Sequence, residues 1–273
     1  LSQQQKPQRG NAVDLGIRGR KAIVNGASAG MGKHAALALA RAGVDLCISA
    51  RGAARLLATA EELAALGVQV IPVVADHSTD AGREAILAAC PDPDILVGTC
   101  SPPPMTPDYR AITRDQWQSA LDISLLSPVQ FIHAVADGMC QRGWGRIVNI
   151  ATVAAKYPLE LRVLSGSTRA ALINYTGAVA LRVAQYNVTL NNILPGMYHT
   201  AFVHDQFTAR AQANGTSYDE EVRKFAEEYQ IAAKRFGDPA EVGAMVAMLC
   251  SEHAGYIVGQ SIVMDGGATR STF

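Results

Sequence analysis

The chain reads as an α/β protein built on a doubly wound parallel sheet, and three observations predict this. Short apolar runs alternate with longer helical patterns from end to end. A glycine-rich turn joins the first apolar run to the first helical pattern. No composition break or internal repeat divides the 273 residues, so a single domain is expected.

The apolar runs are "KAIVN" (21–25), "DLCISA" (45–50), "VQVIPVVA" (68–75), "DILVG" (94–98), "GRIVNIA" (145–151), "VTLNNIL" (188–194) and "QSIVMD" (260–265). They are rich in Val and Ile, too short for helices, and apolar without alternation, as strands covered on both faces are. About seven strands are therefore expected. Helical stretches lie between them, such as 31–43 and 54–67, the second with apolar residues at spacings of three and four. Residues 195–238 differ, with no strand signal and only polar helical segments such as "SYDEEVRKFAEEY" (217–229). A helical insertion at 197–236 is well placed to be a substrate lid, with a surface helical pair as the alternative. A new helix then starts cleanly, with Asp238 as N-cap, Pro239 at the first position and Glu241 completing a capping box.

Composition excludes several classes of function. Lysine plus arginine equals aspartate plus glutamate at 24 each, which leaves no basic footprint for nucleic acid. The five cysteines have no paired spacing, so neither a disulfide framework nor a metal site is expected, and reduced thiols in a cytoplasmic protein fit better. No apolar run approaches the ~18 residues needed to cross a bilayer. The polar stretch 1–15 reads as a flexible arm, with the folded domain from 16 to 273.

The turn "NGASAGMG" (25–32) carries Gly26, Gly30 and Gly32, with Ser28 and Met31 among them. Glycines allow a tight turn and close backbone approach, and the following helix N-terminus offers unpaired N–H groups to phosphates. At the first strand–helix junction of an alternating chain, this pattern predicts dinucleotide binding. After the second strand an NAD-preferring protein carries an acidic residue, but here Ala50 takes that place and Arg51 follows. A guanidinium suits a 2′-phosphate, which favours NADP(H) over NAD(H). The competing view makes Arg51 and Arg55 solvated helix-start residues. Asp76, after the third strand, is a candidate for the adenine amino group or a simple turn aspartate.

Together these residues resemble the short-chain dehydrogenase/reductase family, in its ketoacyl-reductase-like branch. "NGASAGMG", "DILV", "GRIVNI", "NNILPG" and "GQSIVMDGG" carry the likeness in order, from about residue 14 onward. The resemblance implies a Rossmann-like domain, a homotetramer or homodimer, and hydride transfer between NAD(P)H and a small carbonyl or alcohol substrate. It also implies cofactor contacts from Pro195, Gly196 and Thr200.

The family's four catalytic residues are asparagine, serine, tyrosine and lysine, and their positions fall on Ser124, Thr152, Ser165 and Arg169. The family's NNAG segment reads "GTCS" (98–101). Thr152 can still polarise a carbonyl oxygen through its hydroxyl. A serine hydroxyl is a far weaker acid than a phenol beside an ammonium. Arg169 can fork onto ribose hydroxyls but does not release a proton.

Replacement acids are therefore sought on the loops rimming the pocket. Lys156 and His199 are candidates for the proton, and Tyr157, Tyr198 and Phe202 for substrate contact. Each has a plainer alternative as a solvated, capping or packing residue. Three readings follow: an NADP(H)-dependent oxidoreductase with a rebuilt proton relay, a non-redox lyase, isomerase or hydrolase on the same fold, or an inactive NADP-binding protein. The first is favoured because the cofactor end is better kept than the relay.

Overall fold

The computed structural model describes residues 13–270. Its elements run β1 (Lys21–Asn25), α1 (Gly30–Arg41), β2 (Asp45–Ala50), α2 (Ala53–Ala64), β3 (Val70–Val74), α3 (Asp80–Ala89) and β4 (Ile95–Gly98). Then come α4 (Arg114–Leu121), α5 (Ser127–Arg142), β5 (Gly145–Ile150), α6 (Val163–Val183) and β6 (Val188–Pro195). The chain closes with α7 (Ala201–Asn214), α8 (Tyr218–Glu228), α9 (Pro239–Cys250) and β7 (Ser261–Met264). The strands form one seven-stranded sheet in the order β3-β2-β1-β4-β5-β6-β7. Every pairing is parallel.

Burial explains why the strands were readable. Every residue of β5 and β6 is buried, so an unbroken apolar run is what those positions require. On one face Leu39 of α1 and Val242 and Val246 of α9 pack on Val24, Ile48 and Val148. A Cβ on Gly243 would lie 2.4 Å from the His34 carbonyl oxygen, so glycine is what lets these two helices meet. On the other face Ile86 of α3 and Phe131, Ile132 and Met139 of α5 cover Ile23, Leu96 and Leu190.

α4 and α5 form one continuous run, joined through a π turn at Asp122–Leu126. Within Arg114–Arg142 an 18-residue stretch has a mean hydropathy of 1.3, so by length and composition this helical run could cross a bilayer, contrary to the sequence expectation that no segment approaches that length. Its apolar side, from Phe131 to Met139, is spent on the core beneath the sheet.

The insertion between β6 and α9 folds as α7 and α8 around its own small core of Phe207, Val222, Ala226, Ile231 and Phe236. Arg210 of α7 and Glu221 of α8 clasp the pair at 2.6 Å. α9 begins with the expected capping box: Ala240 N–H donates to Asp238 Oδ1 at 2.8 Å, and Asp238 N–H to Glu241 Oε2 at 2.9 Å. Of the expected arm, residues 1–12 lie outside the described residues, while Asp14 and Leu15 present carbonyls to His253 and Glu252.

Candidate active site

Strand order reverses between β1 and β4, and in such sheets ligands sit in the crevice beyond the carboxyl ends of those strands. The glycine turn fills one side of this crevice. Gly26 (φ +67°) and Gly30 (φ +55°) adopt left-handed conformations. A Cβ on Gly26 would stand 2.9 Å from the Thr99 carbonyl oxygen, and one on Gly32 2.4 Å from that of Gly26. The α1 N-terminus has no side-chain cap and no acid in its first turn, which leaves its N–H groups and positive dipole for an anion. A Cβ on Gly30 would sit 3.5 Å from Thr200 Cγ2, so the loop after β6 closes over the same turn. These residues fit a dinucleotide: the cradle is one that ordinary side chains would fill.

At the mouth of the cradle Ala50 is buried, and the Arg51 side chain is 64% exposed, only 4.0 Å from Asp76 Oδ2. That loose pairing leaves the guanidinium able to swing onto a phosphate. Asp76 Oδ1 is occupied within its own turn, accepting from Ser78 N–H at 3.0 Å and Ser78 Oγ at 2.7 Å. Partial burial pushes the Asp76 carboxyl up, but those bonds and Arg51 outweigh it and hold it below its usual range.

The other side of the crevice is made by α6 and the loop after β4. A Cβ on Gly166 would lie 2.8 Å from the Ala154 carbonyl oxygen, so α6 can lie close against the turn that follows β5. Ser165 and Arg169, one helical turn apart, are both 3% exposed. Arg169 Nη1 donates to Ser165 Oγ at 2.8 Å and Nη2 to Cys100 Sγ at 3.0 Å. Cys100 Sγ lies 3.8 Å from Ser124 Oγ, which the π turn presents. Among the described residues no carboxylate lies within 4.0 Å of this guanidinium. Thr152 heads the adjoining 153–155 turn, its Oγ1 accepting from Ala154 N–H at 3.3 Å.

Thr99, Cys100, Ser124, Asn149, Arg169 and His77 share a cavity of about 20 Å³ there, space for roughly one water. The structure thus brings together Ser124, Ser165 and Arg169 from the expected set. Lys156, Tyr157, Tyr198, His199 and Phe202 do not line this cavity. Lys156 is exposed, 5.6 Å over the Tyr157 ring. His199 points to the α7–α8 insertion, where Nδ1 meets Tyr218 Oη at 2.7 Å and the ring packs 5.5 Å from Phe236. Tyr198 is buried, donates to the Met264 carbonyl at 3.1 Å, and is pushed up to about 12 mainly by that burial. Its hydroxyl is committed to the backbone rather than offered to a substrate. Phe202 is 53% exposed on α7.

Several polar residues of the cavity escaped sequence reasoning, Cys100 and His77 among them. Both lie just past the carboxyl end of a strand, and that position was the available signal. Ser127 Oγ donates to the His77 carbonyl at 2.7 Å and sits 2.8 Å from Nδ1, so the ring N–H points back at the hydroxyl. Burial, aided by Arg51 and Arg83, holds the imidazole below its usual range against the opposing pull of Asp76.

Comparison with known proteins agrees with this geometry. The family model described as enoyl-(acyl carrier protein) reductase matches residues 26–269. The 3-oxoacyl-[acyl-carrier-protein] reductase FabG of Aquifex aeolicus is 30% identical, over 93% of this chain and 99% of its own. The L-sorbose reductase of Gluconobacter frateurii, solved with NADPH and L-sorbose, superposes with a TM-score of 0.90 at 28% identity, covering 95% of this chain and all of that one. A 3-oxoacyl (acyl-carrier-protein) reductase of Agrobacterium tumefaciens C58, solved with NADP bound, gives 0.84 at 27% identity over 96% of this chain and all of its own. Seven parallel strands, the glycine cradle and these relatives together make the chain a member of the short-chain dehydrogenase/reductase family, whose named relatives are dehydrogenases and reductases.

Proposed function

We propose that the protein is an NADP(H)-dependent oxidoreductase that interconverts a small carbonyl compound and its alcohol through a proton relay of its own. The observation that carries this reading is the glycine cradle with Arg51 at its mouth. Gly26, Gly30 and Gly32 keep the volume a pyrophosphate needs, and the α1 N-terminus supplies N–H donors. Arg51 would hold the 2′-phosphate, with no acid at Ala50 to repel it. Pro195, Gly196 and Thr200 would border the nicotinamide end. Bound there, the coenzyme supplies or takes the hydride. Ser124, Thr152 and Ser165 orient the substrate oxygen, and Arg169 supports negative charge near it.

Calorimetry with NADPH and NADH, followed by absorbance at the nicotinamide band with L-sorbose and a 3-oxoacyl thioester as carbonyl probes, tests this reading. NADPH is expected to bind about tenfold or more tightly than NADH, a difference of ~1.4 kcal/mol. If neither coenzyme binds, the assignment fails. Binding without turnover of any carbonyl would instead mark a coenzyme-binding protein.

A further inference from the structure

We propose that Cys100 is the proton donor and acceptor of this site, with Arg169 as the group that stabilises its thiolate. The inference rests on the oxidoreductase reading above and supplies the acid that Ser165 does not. The cysteine does not stand alone. Its sulfur receives an N–H from a guanidinium that is 3% exposed, at 3.0 Å, and sits 3.8 Å from Ser124 Oγ. Sulfur and guanidinium line one cavity with Thr99, Asn149 and His77. Arg169 carries a buried positive charge with no carboxylate within salt-bridge distance among the described residues. A buried cation without a counter-ion favours an anion beside it, and Cys100 is the ionisable group it touches.

Charge in the neighbourhood points the same way. Arg162, on the turn leading into α6, is held below its usual range by burial and then by repulsion from Arg169. From the loop after β3 the cavity receives His77. The π turn and the start of α5 contribute the hydroxyls of Ser124 and Ser127 beside the apolar Ile123, Pro128 and Phe131, and among the described residues no Asp or Glu lines it.

The chemistry balances without oxidising sulfur. Reducing a carbonyl takes one hydride at carbon and one proton at oxygen. The Cys100 S–H bond breaks, an O–H bond forms on the substrate, and the S–H electron pair stays on sulfur as a thiolate against Arg169. Water then returns the proton, and alcohol oxidation runs the same transfers backwards. A thiol is in general a stronger acid than a phenol, at ~8.5 against ~10, so the pairing replaces a phenol and an ammonium with a thiol and a guanidinium.

The test uses the full chain and two independent readouts. Iodoacetamide alkylation of Cys100 is followed by peptide mass spectrometry from pH 5 to 10. At pH 7 the wild type is expected to react about tenfold faster than Arg169→Met, with Arg169→Lys restoring part of the rate. Cys140→Ala, on the far end of α5, should leave the Cys100 rate unchanged. For turnover, Cys100→Ala should lose about 100-fold or more in kcat, together with the matching limb of its pH profile. Its NADPH affinity should stay within about twofold of the wild type, because the cradle is untouched. Alkylation indifferent to Arg169, or a Cys100→Ala enzyme with wild-type kcat and pH profile, overturns the proposal. The two failures separate: if NADPH does not bind, the functional reading falls while alkylation still reports on the sulfur–guanidinium pair. If NADPH binds and Cys100→Ala still reduces the carbonyl at full rate, only the role of Cys100 falls. NADPH binding with no carbonyl reduced by the wild type overturns both.

Discussion

The two walls of the crevice have been treated differently. The β1–α1 wall is specified by backbone: left-handed glycines, missing Cβ atoms and a bare helix end. The α6 wall is specified by side-chain chemistry, and the positions to which the family resemblance assigns catalytic roles carry Ser124, Thr152, Ser165 and Arg169. A backbone cradle admits almost no alternative residue. A proton relay can be rebuilt by any group of suitable acidity within reach. On the proposed reading, the molecule keeps the coenzyme geometry and changes the acid.

Breaking the first wall should have the largest effect. Gly32→Ala would place a methyl 2.4 Å from the Gly26 carbonyl oxygen, a backbone atom that cannot rotate away. Overpacking of this kind costs ~1–3 kcal/mol. Calorimetry should show NADPH affinity reduced about 100-fold or more, ~2.7 kcal/mol. Affinity within a few-fold of wild type would mean that the turn is not the phosphate cradle.

A smaller change sharpens the boundary of that wall. Arg51→Gln should weaken NADPH by about tenfold, ~1.4 kcal/mol, and leave NADH almost unchanged. The effect is modest because the side chain is 64% exposed and the pairing is screened by solvent. Equal losses for the two coenzymes would assign Arg51 to a site other than the 2′-phosphate.

The smallest effect concerns His77, which touches the second wall. Its folded-state value lies below the ordinary 6.5, so the unfolded chain binds the proton more readily. The stability it contributes is fully present above 6.5 and is lost as pH falls through its lowered value. Asp76, also lowered, adds a second loss as pH falls further, below its ordinary 3.8. Thermal midpoints should therefore drop on acidification, and His77→Asn should flatten the first part of that decline. An unchanged slope in the variant would remove His77 as its source.

Most of the fold was legible because its signals are local. β1 and β2 match the apolar runs 21–25 and 45–50 residue for residue. The run 68–75 overstates β3, which pairs only over Val70–Val74 at a sheet edge where Ile71 and Val74 are exposed. The Asp238–Glu241 cap was readable because both partners lie within one turn. The site was less legible. Cys100 and Arg169 are 69 residues apart and meet only because β4 and α6 converge. Tyr198 and His199 suggested a pocket by their residue type, yet the end of β7 and Tyr218 of α8 claim their polar atoms. Residue type shows what chemistry is available, and tertiary contact decides where it is used.

The wide turn at Asp122–Leu126 acts as a phase adjuster between two rigid rods. Each α-helical residue advances the azimuth by ~100°, whereas a π turn takes an extra residue per turn, so the five residues Asp122–Leu126 hold the Arg114–Leu121 segment against Phe131 and Met139 in nearly the phase that four α-helical residues would give. The capped start at Thr113 and the buried Ala120 thus keep their helical phase with α5 while the run takes in one more residue, with the buried Ser124 inside the widened turn.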